Sequence, residues 1–150
     1  WHPIFENCLP QCDDFAADGY TKEEMKLVNE TRKIMQLPDL HVAATAVRVP
    51  LLVGHSESIN AEFEREIDVE TVRQLWQKAP SVVVQDEPAN NLYPMAMRVA
   101  GNHEVFVGRL RRDLFLPNAL HFWCVADNLL KGAATNAVQI ARHLLLKNFC

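Results

Sequence analysis

Glycine is scarce in this chain, and the scarcity excludes a great deal. Only five glycines occur in 150 residues, at positions 19, 54, 101, 108 and 132. No G-x-G-x-x-G or phosphate-loop spacing can be built from them, so these residues house no dinucleotide-binding fold. Cysteine is equally thin. Cys8, Cys12, Cys124 and Cys150 make no disulfide framework for a domain of this size, which points to reduced thiols. Cys8 and Cys12 have the spacing of half a zinc site, but no second close Cys or His pair follows, so no metal is expected. Fifteen Lys and Arg against nineteen Asp and Glu, with no long basic block, argue against a nucleic-acid surface. No apolar run reaches the ~18–20 residues that span a bilayer, and Trp1-His-Pro-Ile4 lacks the basic start and apolar run of a signal peptide. The expectation is a cytoplasmic protein that touches no membrane. An initiating methionine is also missing, which suggests a segment of a longer polypeptide.

What is present suits one folded domain. The hydrophobic fraction is 49%, and a chain of this length can bury roughly two-thirds of its unfolded surface. Residues 4–9 read as a short strand. Residues 21–36 read as a helix, capped by Thr21, with Met25, Val28 and Met35 at helical spacing. Residues 41–50 form a strand rich in Val and Ala. Ile59, Ala61 and Phe63 alternate with polar residues, the pattern of an antiparallel strand with one wet face. Asp68 caps a second helix lined by Val69, Val72 and Trp76. Residues 81–85 are a short strand, and residues 86–102 a long loop rich in Pro and Asn. Residues 105–110 and 120–126 are strands, the second apolar on both faces and therefore central. Residues 128–146 form the last helix, with a broad face of small residues. The elements follow no strict βαβ rhythm. The fold class is α+β: a mixed, largely antiparallel sheet covered by helices on one face.

Residues 42–60 carry the most suggestive chemistry, because they set Arg48 and His55 at the ends of an apolar platform. A guanidinium fork grips a carboxylate bidentately, and a neutral imidazole moves protons near pH 7. Seven residues apart on an unbroken strand they would point opposite ways, but Pro50 and Gly54 can bend the backbone until both face one pocket. Each also has a bland reading: a strand-end arginine paired with a surface carboxylate, and a loop histidine. Thr21-Lys-Glu-Glu24 is a capping box that accounts for Glu24 with no ligand at all. Lys26 reads as a solvated helix lysine, and Asp127 or Asn128 as the cap of the last helix.

The order of several blocks adds a resemblance. Asp18-Gly-Tyr-Thr-Lys-Glu-Glu-Met-Lys26, Asn29-Glu-Thr-Arg-Lys33, Val47-Arg-Val-Pro50 and Gly54-His-Ser-Glu57 resemble the C-terminal half of aspartate-semialdehyde dehydrogenase. So do Val107-Gly-Arg-Leu-Arg-Arg-Asp113 and Val125-Ala-Asp-Asn-Leu-Leu-Lys-Gly-Ala-Ala-Thr-Asn-Ala-Val-Gln-Ile140. The blocks run from about residue 7 to about residue 145, and what they resemble is the substrate-binding and dimerisation domain of a two-domain enzyme.

The resemblance implies a fold like the C-terminal domain of glyceraldehyde-3-phosphate dehydrogenase. It implies that Arg48 grips the substrate α-carboxylate, Glu24 meets its ammonium and Lys26 helps hold the phosphate. His55 is then the acid/base residue beside a nucleophilic cysteine, and Asn128 the contact to the nicotinamide carboxamide. The reaction implied is the NADP-dependent reductive dephosphorylation of L-aspartyl 4-phosphate to the semialdehyde, in the biosynthesis of lysine, threonine and methionine. NADP would be bound mainly by an N-terminal domain absent from these 150 residues, leaving the chain alone inactive and forming a homodimer or homotetramer. The lone Asn7-Cys8 pair falls in the first strand, so Cys8 is read as packing and not as the nucleophile. The rivals are a related N-acetyl-glutamyl-phosphate reductase and, from a different class, a non-catalytic dimerisation module.

Overall fold

A computed structural model describes residues 2–147, which divide into two compact units with the boundary between Leu51 and Leu52.

The first unit is built around α1, Lys22–Met35. Thr21 starts it with the full reciprocal box: its hydroxyl accepts from Glu24 N–H, and Glu24 Oε2 accepts from Thr21 N–H at 2.7 Å. At the other end Gln36 turns left-handed, with φ 56°. Leu37 N–H then bonds the Arg32 carbonyl and Gln36 N–H the Lys33 carbonyl, closing the helix without glycine. Val28 is buried on the apolar stripe, but Met35 is exposed.

The strands expected over residues 4–9 and 41–50 do not form. Their one meeting is a single antiparallel bridge in which Leu9 and Arg48 exchange backbone hydrogen bonds of 2.9 and 2.8 Å. The ladder cannot extend from it. Two residues beyond Arg48 stands Pro50, which has no N–H, and two residues before it Ala46 gives its N–H to Glu24 Oε1 at 2.8 Å. Cys8, expected to pack in the first strand, is exposed.

The second unit holds a four-stranded sheet in the order β1-β4-β3-β2. The strands are β1 His55–Glu62, β2 Val82–Val84, β3 Val105–Arg112 and β4 Ala119–Ala126. β4 lies between antiparallel β1 and β3, as its apolar faces require, while β2 pairs parallel to β3. Along β1 the alternation appears at Ile59 and Ala61, half-buried between exposed neighbours, but Phe63 lies beyond the end of the strand and is exposed.

Helix α2, Val69–Lys78, begins at Asp68, whose carboxylate accepts from Thr71 N–H at 2.9 Å. Val72 packs with Leu110 and Leu120 of the sheet, and Trp76 meets Phe122 edge-on at 5.1 Å. A second cluster joins Phe106 and Val125 to Ala96 and Val99. Those last two belong to α3, Ala96–Val99, a single turn inside the stretch expected to be all loop. Asn128 to Leu146 is not one uninterrupted α-helix either. It begins as a π-helical turn over Leu130–Ala134 and becomes α4, Thr135–Leu146. α4 buries none of its residues, so its small-residue face is not packed as expected within the described residues.

Candidate functional site

In the first unit the capping box and the Ala46 N–H together engage both carboxylate oxygens of Glu24. Its carboxylate accepts from Thr21 N–H on one oxygen and from Ala46 N–H on the other, with only 6% of the residue exposed. Those two backbone donors, Thr21 first, hold its pKa below the usual carboxylate range, so it is an anion at neutral pH. A carboxylate oxygen has two lone-pair directions, so each can still accept from a ligand. Glu24 also lines an open cavity of ≈ 440 Å³ with Asp18, Tyr20, Phe15 and Thr45. One and the same group therefore caps α1, ties residue 46 to it and faces a cavity.

Arg48 follows two residues after Ala46 on that tethered segment. Its backbone is fixed by Leu9, and its guanidinium is exposed with no ion-pair partner among the described residues. Lys26, one turn into α1, is exposed and pairs with Glu23 at 3.0 Å. That hydrogen bond and charge raise its proton affinity and keep it cationic.

In the second unit His55 opens β1 opposite Ala126, with its residue exposed. The chain reaches it through Gly54, at φ +99°, a conformation L-residues rarely adopt. Gly54 N–H donates to Asn128 Oδ1 at 2.8 Å, across 74 residues of sequence. The residue that caps is Asp127. Its Oδ1 accepts from the N–H groups of Leu129 and Leu130 at 2.8 and 2.9 Å, and its Oδ2 from Gly101 N–H at 2.8 Å. Gly101 is the foremost of the donors that lower its pKa, so this buried carboxylate too is ionised. A Cβ on Gly132 would meet only ordinary contacts, so no close approach explains that glycine.

The ordered blocks, through their resemblance to the family, marked Glu24, Lys26 and Arg48 in one unit and His55 and Asn128 in the other. They did not reveal the two tethers, Glu24 to Ala46 and Asn128 to Gly54, because each joins positions far apart in sequence. Asp127 was visible only as half of a cap; its hold on Gly101 left no sequence signal. Among the described residues Cys8, Cys12 and Cys124 are unpaired, and burial pushes the Cys124 thiol up to about 11, away from nucleophilic character.

Comparison with known proteins gives one consistent answer. Residues 2–131 match the model of the family described as semialdehyde dehydrogenase, dimerisation domain. The chain is 54% identical over 144 residues to aspartate-semialdehyde dehydrogenase of Bacillus subtilis, covering 95% of this chain and 42% of that protein. It superimposes with a TM-score of 0.88, at 43% identity, on aspartate semialdehyde dehydrogenase II of Vibrio cholerae complexed with ASA, covering 93% of this chain and 41% of that one. The enzyme of Candida albicans with NADP gives a TM-score of 0.72 at 26% identity, covering 98% and 46%. The chain therefore spans less than half the length of the relatives it matches.

Proposed function

This chain belongs to the family of semialdehyde dehydrogenase dimerisation domains, and from that premise we propose that it is the substrate-binding and dimerising half of an aspartate-semialdehyde dehydrogenase. What carries the proposal is the likeness to the Bacillus subtilis enzyme along nearly the whole chain. The reaction is the reduction of L-aspartyl 4-phosphate to the semialdehyde with release of phosphate, carried out in the cytoplasm by a homodimer or homotetramer.

The roles follow from what each side chain can do. Arg48 offers a planar pair of donors to the α-carboxylate, where a lysine would offer a point charge. Glu24, anionic and bordering a cavity, suits the ammonium group. Lys26 contributes a cation for the departing phosphate. His55 handles the proton of the attacking thiol, which a segment outside these residues carries, and so helps form a thioacyl intermediate that divides one hard step into two. NADP supplies the hydride when bound. Asn128 fits the nicotinamide carboxamide as a donor, because its Oδ1 is taken by Gly54 and its Nδ2 has no acceptor among the described residues. The remainder of the cofactor belongs to a domain outside these residues, since no glycine loop occurs here.

The test is turnover by the full-length gene product. L-aspartyl phosphate should consume NADPH, and N-acetyl-glutamyl phosphate should not. The reverse preference, or no turnover of either, overturns the proposal.

A further inference from the structure

We infer that Asn128 is a positioning residue for His55, acting through the backbone of Gly54, and that its two amide atoms have separate tasks. The inference rests on the functional reading above, in which His55 handles a proton.

A backbone N–H can only donate, so the amide atom 2.8 Å from Gly54 N must be the oxygen. The nitrogen is thereby directed elsewhere, as a donor with no acceptor among the described residues. Gly54 is confined on its other side as well. A Cβ built there would lie 3.3 Å from Ala96 Cβ and 3.5 Å from the Ala126 carbonyl oxygen. Ala96 is one of the two buried residues of the turn α3, and Ala126 is the β4 partner of His55. The left-handed turn that delivers His55 is thus held between α3, β4 and the Asn128 oxygen.

The imidazole has no hydrogen-bond partner among the described residues, and His55 lies on edge strand β1. The Cα–Cβ bond that carries it is placed by the His55 backbone, which is held by pairing with Ala126 of β4 and by the turn at Gly54. Asn128 is itself rigid, because Asp127 beside it accepts three backbone N–H bonds, one from Gly101, which follows α3. A continuous series of bonds therefore runs from Gly101 through Asp127 and Asn128 to the residue before His55. One side chain sets where the proton is handled and keeps its second atom available to the cofactor.

The experiment compares Asn128→Asp with Asn128→Leu in the full-length gene product. Asp keeps an acceptor for Gly54 N–H and loses the donor; Leu loses both. Displacement of a reacting group by about 1 Å costs about 100-fold, so Asn128→Leu should lower kcat by about that factor while KM for the semialdehyde stays within about threefold. Asn128→Asp should recover kcat to within about tenfold of wild type and raise KM for NADP. Hydrogen exchange at the Gly54 amide, measured without cofactor, should accelerate in Asn128→Leu and not in Asn128→Asp. If Asn128→Leu does not fold, Asn128→Ala takes its place with the same expectations. Equal kcat in the two variants, or unchanged Gly54 exchange in the apolar one, overturns the inference. Absence of semialdehyde turnover by the wild type overturns the functional reading instead, and the exchange result still decides whether Asn128 holds the turn.

Discussion

Asp86, just beyond β2, ties three elements of the second unit, and its removal should be among the costliest single changes. Its side chain is 2% exposed. Oδ1 accepts from Arg109 N–H at 2.7 Å, and Oδ2 from Leu110 N–H at 3.3 Å and from Arg73 Nη1 of α2 at 2.7 Å. Arg109 sits at φ 55° in the irregularity between Gly108 and Arg111, where two residues of β3 oppose one of β4. Asp86 therefore supplies the acceptors that a regular ladder would have supplied to the bulge, and it neutralises Arg73. Removing one partner of a buried ion pair costs about 3–5 kcal/mol. Arg73 is 23% exposed and has Glu70 at 3.3 Å as a second partner, and Arg109 N–H can turn to water. Both reduce the loss toward about 3 kcal/mol for Asp86→Ala. At about 2–4 °C per kcal/mol, Tm should fall by about 6–12 °C. Thermal unfolding followed by circular dichroism measures it. Asp86→Asn, which retains one acceptor for the bulge, should fall between wild type and Asp86→Ala. A loss below about 1 kcal/mol in Asp86→Ala would refute the reasoning.

Gly108 is required by space alone. A Cβ there would lie 2.0 Å from the Gln85 carbonyl oxygen and 2.8 Å from Pro94 Cδ. Gly108→Ala should separate β3 from the segment after β2 and cost about 1–3 kcal/mol or more in denaturant unfolding; an unchanged midpoint would contradict that. Asp113 carries a pH dependence. The N–H of Phe115, then His121, then the N–H of Leu116 lower its pKa from 3.8 to about 2. A carboxylate depressed in the folded state stabilises above its unfolded pKa and loses that contribution as pH falls toward the folded value. Wild type should therefore lose stability between pH 3.8 and about 2, and Asp113→Asn should show a flatter profile in that window. Equal slopes in acid titrations of the two would rule out Asp113 as a source.

The elements legible in the sequence are those whose determinants are local. Thr21-Lys-Glu-Glu24 announced α1, Asp68 announced α2, and the two apolar faces of β4 announced its central place. The strands expected over residues 4–9 and 41–50 had suitable composition, but a strand exists only with a partner. Here Pro50 and the diverted Ala46 N–H limit pairing to one bridge. α3 has no side-chain cap and four residues; burial of Ala96 and Val99 under Phe106 and Val125 holds it. The π-turn begins where the Asp127 carboxylate, anchored 26 residues away at Gly101, fixes the N–H groups of Leu129 and Leu130. No window of sequence contains that bond. The candidate site follows the same division. The residue types came from the ordered blocks, whereas the tethers that hold the backbone near them join residues 22 and 74 positions apart.

The central claim is that this domain supplies substrate recognition, with Arg48 on the carboxylate. Steady-state kinetics of Arg48→Lys in the full-length gene product, with L-aspartate semialdehyde, NADP and phosphate, tests it most directly. Loss of the proposed bidentate grip should raise KM, lower kcat and reduce kcat/KM by about 10- to 150-fold, the equivalent of a charged hydrogen bond of about 1.5–3 kcal/mol. Kinetics indistinguishable from wild type would contradict the account.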